Sequence, residues 1–243
     1  EGEVIQHPWI TKSIERAQKK VEENNFGIRK RLLEYDDVMN SQREVIYKRR
    51  RHALFGDRLQ LDISNMMYDV SESLINEFYG NYTYDDFKFE VFKTLSFEPD
   101  ITPQEFIKLS KEELIQKLYN QMRSIYQRRR ESIAKQAYPV IKEVFEKQGK
   151  LYENIVVPIT DGIRTFSILT NLEKAYQTNG EELVRSYEKT ITLYIIDEQW
   201  KDHLRELDDL KQAVYNAVFE QRDPLLVYKL ESFELFKNMI ERI

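Results

Sequence analysis

Asp36 and Asp37 stand side by side in a charged, apolar-striped run, and adjacent carboxylates are the raw material of general acid–base catalysis or of a metal site. Consecutive residues of a helix point about 100° apart, so this pair does not converge on one reacting atom, and a solvated or domain-contacting role is the simpler reading. His203 lies beside Asp202 and near Trp200, but no H-E-x-x-H pattern and no second histidine at ligand spacing accompanies it. A packed histidine is favoured over a metal ligand. The sequence holds no cysteine, which excludes disulfides and thiolate metal sites. It holds no G-x-x-x-x-G-K-[ST] loop either, so the backbone cradle that grips nucleotide phosphates is missing from this stretch. No nucleophile, base and orienting group recur within reach of one another. Catalytic, cofactor-binding and metal-binding residues are therefore assigned to none, and the chain is expected not to be an enzyme by itself. Two basic runs, Lys48-Arg49-Arg50-Arg51-His52 and Arg128-Arg129-Arg130, have the composition of phosphate contacts for nucleic acid or anionic lipid. With a net charge of −5 any such attraction is local, and a solvated helix face is the default.

The elements that position these residues are helical. Of the 243 residues, 41% are apolar and 33% charged, and seven Gly and six Pro leave few places for tight turns. Good helix formers dominate, which predicts a mainly α, elongated protein with one or two small cores. No apolar stretch reaches the ~18 residues that span a bilayer, so a soluble chain is expected. Its first residue is Glu1 with no leader-like segment after it, which reads as a piece of a longer cytoplasmic polypeptide.

Ile14, Ala17, Val21, Ile28, Leu32, Tyr35, Met39, Ile46 and Ala53 recur at helical spacing. They predict one long helix of ~44 residues and ~65 Å, capped by Thr11, stopped at Gly56 and buried along that stripe. Gly27 inside it costs about 1 kcal/mol relative to Ala, to be recovered by packing or a bend. Leu59 to Phe97 reads as one or two shorter helices whose aromatics (Phe78, Tyr79, Phe87, Phe92 among them) form a separate core. Thr102-Pro103 with Glu105, and Ser110 with Glu113, are capping boxes that start two more helices. The second follows Leu114, Leu118, Ile125, Ile133 and Val140 to Val144, with a kink at Pro139 and an end at Gly149. Ile155, Val157 and Ile159 then alternate, and Asp161-Gly162 precedes a second β-favouring run, Ile163 to Ile168. This pattern predicts a β-hairpin. Thr170 with Glu173 marks a short helix ended by Gly180.

Ile196, Trp200, Leu204, Leu207, Val214 and Ala217 define a further helix; Leu226, Leu230, Phe233, Met239 and Ile243 define the last. Pro224 cannot continue the first and suits the start of the second, so the segment reads as an antiparallel helical hairpin with its tip near Phe219. Phe219 there is either a plug into a neighbouring domain or a contact for something bound. Trp200 reads as a core anchor.

At this point a resemblance becomes specific. Ile10 to Glu22 (ITKSIERAQKKVE), Asn25-Phe26 and Ile28 to Tyr47 (IRKRLLEYDDVMNSQREVIY) resemble the long scaffold helix of the SecA family. Trp200 to Leu204 (WKDHL), Gln221 to Pro224 (QRDP) and Tyr228 to Phe233 (YKLESF) resemble its two-helix finger, in the same order. The matches cover under half of the chain; Leu59 to Gln148 corresponds to the family's helical wing in position and helicity more than in motif. The layout implied is 1–58 long scaffold helix, 59–150 helical wing, 151–189 an insertion with hairpin and short helix, and 190–243 two-helix finger. The resemblance implies a parent that hydrolyses ATP with Mg in two motor domains outside this stretch and drives unfolded preproteins through the SecYEG channel. It implies contacts of the long helix with the motor and peptide-crosslinking domains, a cytoplasmic location with peripheral association at the inner face of the plasma membrane, and no nucleic-acid partner. It places preprotein and channel contact at the tip residues Val218, Phe219, Glu220, Gln221 and Arg222, with Trp200, Tyr35 and Pro224 as structural anchors.

The chain departs from the family in places. The usual Arg-Gly-aromatic tip is here Ala217-Val218-Phe219, without the charge or the flexible glycine. Gly27 stands where an acidic residue is common, and about 152–189 looks like an insertion relative to shorter members. The competing reading is a coiled-coil-like adaptor or nucleic-acid-associated helical scaffold with no secretion role, whose mark would be steeply salt-dependent binding to DNA.

Overall fold

The computed structural model describes residues 8–56, 58–149, 151–160, 162–214 and 223–243. They form eight helices and a two-stranded antiparallel sheet: α1 Pro8–Phe55, α2 Leu59–Phe78, α3 Tyr84–Leu95, α4 Pro103–Lys108, α5 Lys111–Gln148, β1 Asn154–Thr160, β2 Thr165–Asn171, α6 Leu172–Gln177, α7 Glu181–Ala213 and α8 Pro224–Arg242. The fold is mainly α with a β-hairpin, as the periodicity predicts. No helix among the described residues is long and apolar enough to cross a membrane. The chain divides into two compact units. One takes the chain up to Arg51 together with Tyr194–Ile243; the other is His52–Leu193.

In the first unit, α1 already includes Pro8, so Thr11 is a residue of the helix and not its cap. Proline's fixed φ suits a first turn, where its missing N–H is not needed. Gly56 ends the helix as expected: φ is +74°, and its N–H donates to the His52 carbonyl at 3.0 Å. The expectation of one continuous buried stripe fails upstream of Tyr35. Ile14, Val21, Ile28 and Leu32 are 42–57% exposed, whereas Tyr35 and Ile46 are buried. A methyl group at Gly27 would meet nothing within 4 Å, so close packing does not offset the helix penalty of that glycine.

The second unit holds two cores. In the first, Leu74, Ile75 and Phe78 of α2 pack with Phe87 and Val91 of α3, Phe106 of α4, and Leu114, Ile115 and Leu118 of α5. Phe87 and Phe106 stack with centroids 4.8 Å apart. Each such side chain taken out of water contributes about 1.5–3 kcal/mol. The capping boxes predicted at Thr102 and Ser110 form, the one predicted at Thr170 does not, and another, Thr83 with Asp86, starts α3. Phe92 is exposed and lies outside this core.

The second core joins Ile141 of α5 to Ile168 of β2, Leu172 and Ala175 of α6 and Leu183 of α7, with Ile155, Val157 and Ile159 packed against it. Four expectations shift here. Val140 is exposed and Ile141 buried, because the α5 stripe runs Ala134, Ala137, Ile141, Val144. Ile163 is 92% exposed in the turn, and the second strand begins at Thr165. Thr170 is not a helix cap: it pairs with Ile155 in the ladder, and Asn171 caps α6 by accepting from the Lys174 N–H at 2.9 Å. The helix ends at Gln177, and Gly180, with φ of +91°, follows in the turn before α7. A Cβ on Gly180 would lie 2.7 Å from the Ala134 carbonyl oxygen, so both sterics and backbone conformation require glycine there.

Candidate functional site

The predicted tip residues Val218, Phe219, Glu220, Gln221 and Arg222 lie outside the described residues. What the structure describes is the junction where α1, α7 and α8 meet within one unit. The order of contacts fixes chain direction. Lys211 lies 3.8 Å from Asp36, His203 meets Gln42, and Arg50 pairs with Asp197, so α7 runs antiparallel to α1. Tyr35 meets Tyr228, and Gln42 meets Ser232, so α8 runs parallel to α1 and reverses α7. This is the predicted helical hairpin, laid along the C-terminal half of the long helix. Pro224 takes the first helical position of α8, and the Asp223 carboxylate accepts from the Leu225 N–H at 3.0 Å.

At the end of α7 and the start of α8, Tyr35, Leu207, Val214 and Tyr228 form a small core. The rings of Tyr35 and Tyr228 cross edge-on at 4.8 Å, and the Lys211 ammonium sits 5.7 Å from the Tyr35 centroid. Burial, and next the charges of Asp208 and Asp36, push the Tyr228 hydroxyl up from its ordinary value. Tyr35 is thus buried in this core, and Pro224 opens the helix that carries Tyr228.

Further from these helix ends lies a buried polar cluster. The Gln42 side-chain N–H donates to the Ser232 carbonyl at 3.0 Å, which leaves the Gln42 oxygen facing His203 Nε2 at 2.8 Å. An oxygen there accepts, so the imidazole carries its proton on Nε2. His203 Nδ1 has no hydrogen-bond partner, and the nearest charge, the Glu206 carboxylate, is 4.0 Å away. Burial lowers the His203 pKa to about 4, which keeps the ring neutral near pH 7. Trp200 and Phe236 flank the ring at 5.6 and 5.7 Å. Trp200 is buried.

Sequence reasoning missed Gln42 and Ser232. Their signal was a polar residue inside an apolar stripe: Gln42 follows Tyr35 by seven positions, and Ser232 follows Tyr228 by four. Of the predicted α8 stripe, Met239 is buried, but the rest of the buried face lies elsewhere. Leu226, Leu230 and Phe233 are 57–63% exposed, while Tyr228, Ser232 and Met239 are buried, because ring and hydrogen-bond partners on α1 select that face.

The other candidates lie apart from this cluster or at its edge. Asp36 is half-buried beside Lys211, and Asp37 is exposed. No cluster of three or more metal-ligating side chains occurs among the described residues. Each basic run contributes an arginine to an ion pair. Arg50 makes a two-pronged bridge to Asp197 at 2.8 and 3.1 Å. Arg130, in the second unit, lies 2.7 Å from the buried Glu188 carboxylate, which also accepts from the Tyr126 hydroxyl at 2.5 Å and from the Gln60 amide. Burial and the Glu188 carboxylate hold the Tyr126 hydroxyl far above its ordinary pKa.

A family model described as the SecA wing and scaffold domain matches residues 4–243. Protein translocase subunit SecA of Flavobacterium psychrophilum is 56% identical over 245 residues, and that of Christiangramia forsetii 54% over 243. That of Parabacteroides distasonis is 53% identical over 243 residues. Each alignment covers 100% of this chain but only 21–22% of the relative, so the chain spans about a fifth of their length.

Proposed function

Because the chain belongs to the SecA wing and scaffold domain family, we propose that it is the scaffold and peptide-contacting part of a motor that moves unfolded preproteins through the SecYEG channel. ATP hydrolysis falls to parts of the parent outside these residues. The observation that carries the reading is the α1–α7–α8 junction. Its ring pair, buried hydrogen bonds and ion pairs tie both arms of the helical hairpin to one long helix, the support a projecting element needs to transmit force. Phe219, with Val218, Glu220, Gln221 and Arg222 around it, is the contact for the moving chain. An aromatic face grips varied side chains by dispersion and burial without reading sequence. The exposed apolar residues of α1 before Tyr35 suit contact with the motor and peptide-crosslinking domains. In this reading 1–58 and 190–243 are scaffold, 59–150 is wing and 151–189 an insertion. The division of the chain near residues 51 and 193 supports such a separation. The parent acts in the cytoplasm, at the inner face of the plasma membrane. Nucleic acid is not a partner; pairing of Arg50 and Arg130 leaves the basic runs less free charge for a polyanion.

The test is crosslinking. The chain has no native cysteine, so Phe219→Cys in an otherwise cysteine-free full-length parent should crosslink a stalled preprotein in SecYEG membranes, dependent on ATP. Phe219→Gly should lower translocation while basal ATP hydrolysis persists. Labelling confined to neighbouring domains, or translocation equal to the parent's, would overturn the reading.

A further inference from the structure

The β-hairpin has an edge that no further strand covers among the described residues. The Leu172 N–H donates to the Glu153 carbonyl at 3.0 Å, which makes these two a hydrogen-bonded pair one step beyond the register of Asn154↔Asn171. Bonded and non-bonded pairs alternate along an antiparallel ladder. Ile155↔Thr170, Val157↔Ile168 and Ile159↔Phe166 therefore bond across the hairpin. Asn154, Val156, Pro158 and Thr160 on β1, and Thr165, Ser167 and Leu169 on β2, turn their backbone groups outward. The sheet has no third strand among the described residues to receive them.

The two edges are unlike. Pro158 has no N–H and interrupts the β1 edge, one of the devices by which proteins blunt an exposed strand. The β2 sequence, TFSILTN, has no proline and no charge, and its register passes from Thr165 to Asn171 without a bulge. In a chain with 33% charged residues this is a conspicuous gap. Thr165, Ser167 and Leu169 are exposed, and the Val156–Leu169 cross-strand pair adds an apolar spot on the outer face. The inner face is held on α5, α6 and α7, so the strand is set in place before anything binds.

We propose that the β2 edge docks an extended, unfolded segment of polypeptide as a third strand. The proposal rests on the translocase reading and deepens it by adding a second contact for the transported chain. The offered groups are backbone N–H and C=O, which every polypeptide possesses, and no charge selects among sequences. A seven-residue strand is about 23 Å long, and pairing along it alone falls well short of the ~1,200 Å² of a stable protein interface. That favours a chain held briefly and released over a second copy of this protein.

The experiment uses the full-length parent and a fluorescein-labelled, uncharged Thr/Val/Ser-rich peptide that does not fold. Amide exchange read by mass spectrometry should slow at Thr165, Ser167 and Leu169 on peptide binding and stay unchanged at Asn154 and Val156. Ser167→Pro removes one outward donor without touching the hairpin's own ladder, and should weaken binding about three- to tenfold. Should Ser167→Pro disturb the hairpin, seen as faster exchange at Val157 and Ile159, Ser167→Lys serves in its place: it keeps the N–H and blunts the edge. Peptide binding with no protection on β2, or unchanged affinity in the variant that keeps the hairpin, overturns the inference. Protection that grows with protein concentration in the absence of peptide assigns the edge to a second copy and also overturns it. An unprotected edge with the Phe219 crosslink intact sinks only this proposal, whereas loss of that crosslink sinks the translocase reading beneath it.

Discussion

Protonating His203 should cost the fold roughly 2–3 kcal/mol at about pH 4.5, a loss that follows from its burial. Its pKa falls from 6.5 to about 4 because the ring is taken out of water, with Trp200 and Phe236 beside it. A histidine whose folded pKa lies below its unfolded value is protonated in the unfolded chain first. Between about pH 6.5 and pH 4 the unfolded state therefore binds more protons, and stability falls as pH falls. Each tenfold loss of proton affinity on folding corresponds to about 1.4 kcal/mol, so the full loss is roughly 3 kcal/mol, with most of it reached by about pH 4.5. The geometry offers little relief. Nε2–H is already donated to Gln42, and a proton on Nδ1 would face only the Glu206 carboxylate at 4.0 Å, itself 3.7 Å from Arg242. Urea unfolding at about pH 7.5 and pH 4.5, followed through the buried Trp200, measures the loss. His203→Gln, which cannot titrate, supplies the reference; Trp9 is largely exposed and adds a nearly constant background. Other carboxylates lose stability over the same range in both proteins and cancel in the comparison. If parent and variant show the same pH dependence within about 0.5 kcal/mol, the buried-imidazole argument is wrong.

Glu188→Leu should destabilise the second unit by about 3 kcal/mol, near the lower end for a broken buried pair, because Arg130 keeps Glu181 at 3.3 Å. A urea midpoint equal to the parent's would refute it. Glycine substitutions should split in sign. Gly27→Ala sits in open helix and should stabilise by about 0.5–1 kcal/mol, whereas Gly180→Ala, at φ of +91° with its Cβ 2.7 Å from the Ala134 oxygen, should destabilise by more than about 1 kcal/mol. Thermal unfolding of both variants checks the pair; equal shifts would contradict the conformational argument.

Local signals were readable from the chain because local chemistry sets them. Helical period, the capping boxes at Thr102 and Ser110, the stop at Gly56 and the hairpin alternation at Ile155, Val157 and Ile159 each depend on residues within a turn or two of one another. The burial of Tyr35 and Trp200 and the helix start at Pro224 follow the same patterns. Where two local signals compete, packing decided. Thr170 and Asn171 both suit a cap, and the ladder opposite Ile155 claims the threonine. α8 carries two possible apolar stripes, and the one with Tyr228 and Ser232 is buried because Tyr35 and Gln42 lie against it. Pairing of Arg50 with Asp197 and Arg130 with Glu188 spans 147 and 58 positions, so a basic run that reads as a polyanion surface becomes partly structural. The sequence by itself determined which segments are helix or strand, and those of their ends that a local signal marks, such as the starts after Thr102 and Ser110 and the stop at Gly56, because those choices are settled by neighbours along the chain. Only the tertiary structure decided which face of each helix is buried and which polar side chains meet, because burial and desolvation depend on partners brought together from distant parts of the sequence.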